Sequence, residues 1–388
     1  MLPFFEQDHL SLRARAREWV EKKLFPSHER SSAGDRRAIR LAKELGSEGF
    51  LKYTVPQDFG GLRSKIQARD LCILREELAR GDALADTMFA MQALGGYPIV
   101  LAGNETQKQQ FLPAIAQGDC IAAFAITERD AGSDVMSLQT RATRRGKEFC
   151  VSGTKCFISN AGIADSYVVF ASAEPEKKGK GITAFVLEGD TPGLLVKERT
   201  ELLSPHPMGV VEFENCVVSE DSRLGAEGQG LAIAFATLDL LRCTVGAAAV
   251  GLAQRALEEA IRYSQTRRQF GRPISEFQGI EFKLAEMATE LEAAKLLVYQ
   301  AAWAHDCGGV EVKQKTSMAK YYATEAAQRI VDQALQIHGG NGLIAGSIME
   351  RLYRDVRALR IYEGTTEIQK LIIARHLLNK SRGSRIDD

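Results

Sequence analysis

The chain has 388 residues, and its 50 Lys+Arg balance 50 Asp+Glu. That neutrality argues against a nucleic-acid protein, which needs surplus Lys and Arg to neutralise phosphates; with 45% hydrophobic and 26% charged residues the chain is no disordered polymer either. A chain this long buries about three quarters of its unfolded surface and has room for about two or three domains.

The start, MLPFFEQDHLSLRARAREW, shows no uninterrupted apolar segment behind a basic start, so no secretory signal is expected. From Gln7 to about Gly118 the pattern is helical: Leu10, Leu12, Ala16, Trp19 and Val20 recur at three- and four-residue steps, as do Leu71, Leu74 and Leu78. The stretch Val55 to Gly61 is a turn-rich break. From Cys120 to about Gly228 short runs rich in Val, Ile and Phe take over (IAAFAIT, FCVSGTKCFIS, YVVFAS, GITAFVLE, GLLVKE, GVVEFENCVV) at spacings typical of an antiparallel β domain. Ser152-Gly153 reads as a hairpin turn inside the second run. From Gln229 onward good helix formers return in long segments, 230–265, 277–305, 314–337 and 366–379. The order predicts an α fold with an inserted β domain: a helical domain at 1–119, a middle β domain at 120–228 and a helical bundle at 229–388. Alternating βαβ units and GxGxxG are absent, which argues against a Rossmann domain.

No apolar run approaches the ~18 residues of a membrane helix. The seven cysteines are scattered and form no CxxC, so they read as reduced thiols. The six histidines show no HExxH spacing, and no metal site is expected.

Four segments carry possible chemistry. Ala125 to Asp134 (AITERDAGSD) gathers Thr127, Ser133 and the flexible Ala131-Gly132, equipment for a polar heterocycle or a phosphate, though also for a plain polar loop. Lys155 to Asn160 (KCFISN) places Phe157 and Ser159 on one face by strand alternation, where they would flank a flat ring. Arg360 to Gln369 (RIYEGTTEIQ) puts Glu363 just ahead of a helix that Thr366 and Gln369 cap as a box; a carboxylate in an apolar setting there becomes a stronger base. Leu335 to Gly342 (LQIHGGNG) and Thr266 to Gly271 (TRRQFG) are helix C-caps or presenters of backbone and Arg to a pyrophosphate.

Collinear and at these separations, AITERDAGSD, KCFISNAGIAD, LDLLRCTVGAAAVGLAQRAL, RRQFGRPISEFQ, QIHGGNG and IYEGTTEIQ resemble the acyl-CoA dehydrogenase family over residues 5 to 380. The resemblance implies an N-terminal helical domain, a middle antiparallel β domain and a C-terminal four-helix bundle. It also implies FAD between the middle and C-terminal domains, and removal of two hydrogens from an acyl-CoA thioester. The carboxylate of the YEGT segment, Glu363 here, is then the base. A subgroup places its base in an LDLER pattern instead; this chain reads Leu238 to Arg242 as LDLLR, and Leu241 accepts no proton.

Carried over on the matching motifs, Phe124, Ile126, Thr127, Ser133, Phe157, Ile158 and Ser159 would contact the flavin. Arg267, Phe270, Gln278, Gln336, Ile337, His338, Gly339 and Gly340 would meet the ADP half from a neighbouring subunit, and Thr365, Thr366 and Glu367 would border FAD. Ser133, Asp239, Arg242 and Gly364 would touch the CoA substrate. Three departures stand out: Arg129 where the family usually has Pro, Phe157 where it commonly has Trp, and Ser159 where it commonly has Thr. Gly95 and Gly96 would leave room for an acyl tail that Tyr97 closes, which points to a short, medium or branched acyl group. The resemblance further implies a homotetramer, an electron-transferring flavoprotein as acceptor, and no nucleic-acid or membrane partner. A bacterial cytoplasm is the expected compartment and a mitochondrial matrix the other; an acyl-CoA oxidase or a specialised flavoenzyme of the same fold is the alternative activity.

Overall fold

The structure, a computed structural model, describes residues 4–25 and 34–383. Five helices come first: α1 (Gln7–Trp19), α2 (Asp35–Ser47), α3 (Ala68–Gly81), α4 (Ala83–Ala102) and α5 (Glu105–Gln117). Eight strands follow, namely β1 (Ala122–Ala125), β2 (Arg141–Arg145), β3 (Glu148–Ser159), β4 (Ser166–Ser172), β5 (Ile182–Glu188), β6 (Leu194–Arg199), β7 (Met208–Ser219) and β8 (Arg223–Leu224). Then come α6 (Gly230–Thr266), a small hairpin of β9 (Arg268–Gln269) and β10 (Arg272–Pro273), α7 (Gln278–Asp306), α8 (Val312–His338), α9 (Ile348–Ala358) and α10 (Thr366–Gly383). Helices, a sheet in the middle and helices again appear in the order the composition blocks imply.

By its contacts the chain divides into two compact units, one of Met1–Ser31, Gln67–Asp86 and Arg242–Asp388, the other of Ser32–Ile66 and Thr87–Leu241. In the second unit the sheet runs β6-β7-β3-β2-β4-β5-β8, with β1 paired to β4. Its core alternates along the strands, Phe149 and Val151 on β3, Tyr167 and Val169 on β4, Val211 and Phe213 on β7. Two expectations change here. The sheet is not purely antiparallel, because β1 runs parallel to β4, Phe124 opposite Val168. Ser152-Gly153 is a bulge inside the unbroken β3 rather than a hairpin turn. A Cβ at Gly153 would stand 2.6 Å from Thr140 Oγ1, so glycine serves close approach. The hairpin lies earlier, where Gly146-Lys147 joins the paired ends Arg145 and Glu148.

Gly95 serves close packing, whereas Gly96 has room for a side-chain carbon at ordinary contact distance. A Cβ at Gly95 would come within 2.6 Å of the Ala122 Cβ, and one at Gly96 would sit 3.5 Å from Ile115. The neighbouring Gln92 closes the same junction, donating to the Cys120 carbonyl at 2.7 Å and accepting from the Ala122 amide at 2.8 Å.

In the first unit every residue of α3 is buried, charged ones included. The charges are paired: Arg69 with Asp306 at 2.8 Å, Arg13 with Glu76 at 3.2 Å, Arg17 with Glu77 at 2.8 Å and Arg80 with Glu258 at 3.0 Å. Asp306 also accepts from the amides of Ala68 at 2.6 Å and Arg69 at 3.1 Å, capping α3 from the end of α7. Against α3 lies α6, long and apolar enough by composition to cross a membrane although no sequence run suggests it, since its apolar residues are mixed with Gly, Ala and few charges. Most of its apolar stretch is buried inside the protein, as a core helix is. At the crossing a Cβ on Gly251 would fall 2.1 Å from the Glu76 carbonyl oxygen. Gly251→Ala is therefore expected to lower stability by at least about 2 kcal/mol through overpacking against backbone, read as a lower urea midpoint.

Candidate functional site

The turn between α9 and α10 places the expected base. Amides of Ile361 and Tyr362 bond back to the Ala358 carbonyl at 2.9 and 3.2 Å, closing α9, and the Thr366 amide bonds the Arg360 carbonyl at 3.1 Å. Between these, Glu363 and Gly364 both take left-handed backbone, φ +53° and +92°. Glycine adopts it freely; for glutamate it is strained and must be held by its surroundings. Two side chains hold it, since the Gly364 carbonyl accepts from Lys320 Nζ at 2.8 Å and from Gln369 Nε2 at 2.9 Å. The cap is one residue earlier than the sequence suggests. Thr365 Oγ1 accepts from the Ile368 amide, whereas the Thr366 hydroxyl donates to Glu325 at 2.7 Å.

The Glu363 side chain is 7% exposed, and its Oε1 lies 4.0 Å from Arg75 Nη1. Its Oε2 is buried without a hydrogen-bond partner among the described residues. Burial pushes the carboxyl above the usual range, while Arg75, Lys320 and Arg242 oppose the rise and Asp86 adds to it. Lys320 is itself fully buried, and desolvation lowers it to about 8 against the attraction of Glu363. A desolvated carboxylate with one oxygen free and cations beside it can accept a proton and hold its position while doing so. Of these neighbours the sequence motifs supply only Arg242. Lys320 was visible as a cation on the stripe Thr316, Ala319, Ala323 and Ala327, all buried; Arg75 and Asp86 carried no signal beyond a charge among leucines and alanines.

In the other unit AITERDAGSD folds onto a buried ion pair. Glu128 accepts from the Gln139 and Thr140 amides at 2.5 and 2.9 Å, from Thr140 Oγ1 at 2.6 Å and from Lys155 Nζ at 2.8 Å. Burial would raise Glu128, but Lys155 and these hydrogen bonds outweigh it and hold the carboxyl low. Mutual bonds between the Glu128 and Ala131 backbones close a tight turn whose second residue is Arg129. That is the turn position Pro favours and most residues accept, which accounts for an exposed Arg at this place. The Cys156 amide bonds the Thr127 carbonyl at 2.9 Å and so brings the two motifs together.

Strand alternation does not carry through KCFIS. A bulge between Lys155 and Ile158 gives Phe157 a φ of +55° and leaves its ring 59% exposed. Ile158 is buried, and Ser159 Oγ lies 3.0 Å from Nε2 of a half-buried His206 that the sequence did not flag. Phe124 and Ile126 are nearly buried, Phe124 against Phe170 at 4.9 Å between ring centres, while Thr127 is partly and Ser133 fully open to solvent. Asp239 is half-buried on the first part of α6.

The candidates for the ADP half lie at the end of α6, the start of α7 and the end of α8 in the first unit. Tyr263 stacks on His338 at 4.3 Å and accepts from Asn341, joining the end of α6 to the turn after α8. Around it Arg267, Gln278, Gln336, Gly339 and Gly340 are exposed, Ile337 is buried, and Phe270 stands 93% exposed at φ +48°. Thr365 is half-buried and Glu367 exposed at the start of α10. Each unit thus carries an exposed aromatic ring in strained backbone, Phe157 beside Ser159 in one and Phe270 beside Gly271 in the other, groups of the kind that suit a flat heteroaromatic cofactor with polar edges such as FAD.

Three family models match the chain: the acyl-CoA dehydrogenase N-terminal domain over residues 6–119, the middle domain over 123–216 and the C-terminal domain over 228–378. An acyl-CoA dehydrogenase of Bacillus subtilis is 40% identical, covering 96% of this chain and 98% of that protein. A 3-(aryl)acrylate reductase of Clostridium sporogenes is 38% identical over 97% of this chain and 100% of its own. Among solved structures, butyryl-CoA dehydrogenase from Megasphaera elsdenii superposes with a TM-score of 0.91 at 35% identity, covering 96% of this chain and 99% of that one.

Proposed function

Since the chain belongs to the acyl-CoA dehydrogenase family, and is thereby an oxidoreductase with FAD as cofactor, we propose that it converts an acyl-CoA thioester to the trans-2-enoyl-CoA with Glu363 as base. The observation that carries this reading is the buried Glu363 carboxyl with its unpartnered Oε2. An α-proton beside a thioester is very weakly acidic, so a desolvated base must take it while donors steady the growing enolate oxygen. We assign the second task to the Glu363 backbone N–H. FAD, when bound, supplies the acceptor for the β-hydrogen, which leaves as hydride.

We assign the flavin to Phe124, Ile126, Thr127, Ser133, Phe157, Ile158 and Ser159, with Thr365, Thr366 and Glu367 bordering it. The ADP half falls to Arg267, Phe270, Gln278 and the segment Gln336 to Gly340 of a neighbouring subunit, which makes a dimer the smallest active unit within a homotetramer. Ser133, Asp239, Arg242 and Gly364 are assigned to the CoA substrate, and the burial of Arg242 next to Glu363 supports its share. Leu241 is buried and apolar, which supports Glu363 as sole base. Likeness to a butyryl-CoA dehydrogenase supports a short acyl group. An electron-transferring flavoprotein is our electron acceptor, and the bacterial relatives support the cytoplasm as compartment. The Clostridium relative favours a second reading, the same residues run in reverse, with Glu363 returning a proton to Cα of an enoyl substrate.

Purified holoenzyme, mixed without oxygen with a panel of acyl-CoA esters, should lose its yellow colour fastest with short or branched chains. Failure of every ester to bleach it would refute the dehydrogenase reading, and peroxide release with oxygen as sole acceptor would make it an oxidase. Only ionised Glu363 accepts a proton, so kcat/KM should fall as pH drops through its raised pKa. A limb at or below the ordinary glutamate value, about 4.3, would contradict the assignment.

A further inference from the structure

Four charged side chains face Glu363: Arg75 from α3, Asp86 from α4, Arg242 from α6 and Lys320 from α8, with Tyr362 next to it in the turn. Arg75 and Asp86 differ from the others in being locked to each other. Arg75 Nε and Nη2 donate to the two Asp86 oxygens at 2.8 and 2.9 Å, a fork-on-fork pair. Nη1 donates to Thr244 Oγ1 at 3.0 Å and presents its edge to Glu363 Oε1 at 4.0 Å. Arg75 is 3% and Asp86 4% exposed, so both are shielded from bulk water.

We propose that Arg75 and Asp86 form a positioning pair for Glu363, Arg75 holding the carboxyl in place and ionised, Asp86 aiming the guanidinium and cancelling part of its charge. This rests on Glu363 being the base. Burial pushes the carboxyl towards its protonated form, which accepts no proton. A guanidinium without its counter-charge would lower the carboxyl further and weaken it as a base. The bidentate grip allows no free rotation, so the Nη1 edge stays aimed at Oε1. Lysine could not replace it, for an ammonium offers no second fork.

The test is an infrared pH titration of holoenzyme without substrate, the Glu363 band being identified by its loss in Glu363→Gln. Asp86→Asn keeps an acceptor for only one of the two Arg75 hydrogen bonds, leaves Arg75 less neutralised, and should move the Glu363 titration to lower pH. Arg75→Met alone would strand Asp86, so the second variant is Arg75→Met/Asp86→Asn, which should move it to higher pH. The displacement expected for the double variant is about one pH unit or more, a tenfold change in ionisation. Opposite directions cannot come from a general loosening of the site; no movement, or movement in one direction in both variants, overturns the pair. In the same variants the acid limb of kcat/KM should follow the band. If the band moves as expected and the limb does not, the pair stands and Glu363 is not the base.

Discussion

Glu363→Gln is expected to give a protein that still binds FAD and is still yellow, yet is no longer bleached by any acyl-CoA that bleaches the parent. Glutamine matches the side chain in size and can take the same left-handed backbone, so the turn held by Lys320 and Gln369 should persist. What it lacks is a lone pair basic enough for an α-proton. The rate constant for flavin reduction, followed by stopped-flow absorbance, should drop by about a thousandfold or more, within the range a positioned general base contributes. A variant within tenfold of the parent would remove Glu363 from the mechanism. Because Thr365, Thr366 and Glu367, assigned to border the flavin, follow Glu363 closely in the chain, loss of colour would instead indicate that the turn itself had collapsed.

Asp306→Ala should have the largest effect on stability. One carboxylate at the end of α7, 3% exposed, caps the first two amides of α3 and pairs with Arg69. Burial works against its charge, but His305, Arg69 and the two amides outweigh burial and hold the carboxyl below the usual aspartate range. Its removal leaves Arg69 buried without that partner and the helix start uncapped, which should cost about 3–5 kcal/mol. Urea denaturation would read this as a lower midpoint at unchanged slope. The sign with pH follows: the stabilisation is full above the ordinary aspartate pKa and is lost as pH falls through the lowered one, so parent and variant should converge in acid. A variant within 1 kcal/mol of the parent near neutrality would show the cap to be redundant.

Residue type and spacing revealed the element order and the long helices, because period and breakers act locally: α6, α7, α8 and α10 begin and end within a few residues of the expected 230–265, 277–305, 314–337 and 366–379. The short α9 went unseen, although Ser347 with Glu350 is a cap signal and Met349, Leu352 and Val356 form its buried stripe. The strand β2 (RATRR) was hidden by its charges, since one side of it faces solvent. At the site the sequence pointed to Glu363 and its turn. It could not supply Arg75 or Asp86, which reach Glu363 only when α3, α4 and the turn before α10 meet. The bulge at Phe157 was equally illegible, because alternation presumes a regular ladder and one extra residue undoes it.

The fully enclosed α3 limits how this protein can change. Each of its arginines and glutamates is matched to a carboxylate or guanidinium elsewhere, and an isolated substitution at Arg69 or Arg75 orphans a buried aspartate, Asp306 or Asp86, that has nowhere to hydrate. Drift along this helix must then proceed by paired replacements, the first of which passes through a poorly folding intermediate. Lineages that cross that trough should arrive with both members altered, Arg75 together with Asp86 among them, and a redesign around Glu363 would do well to exchange such couples whole.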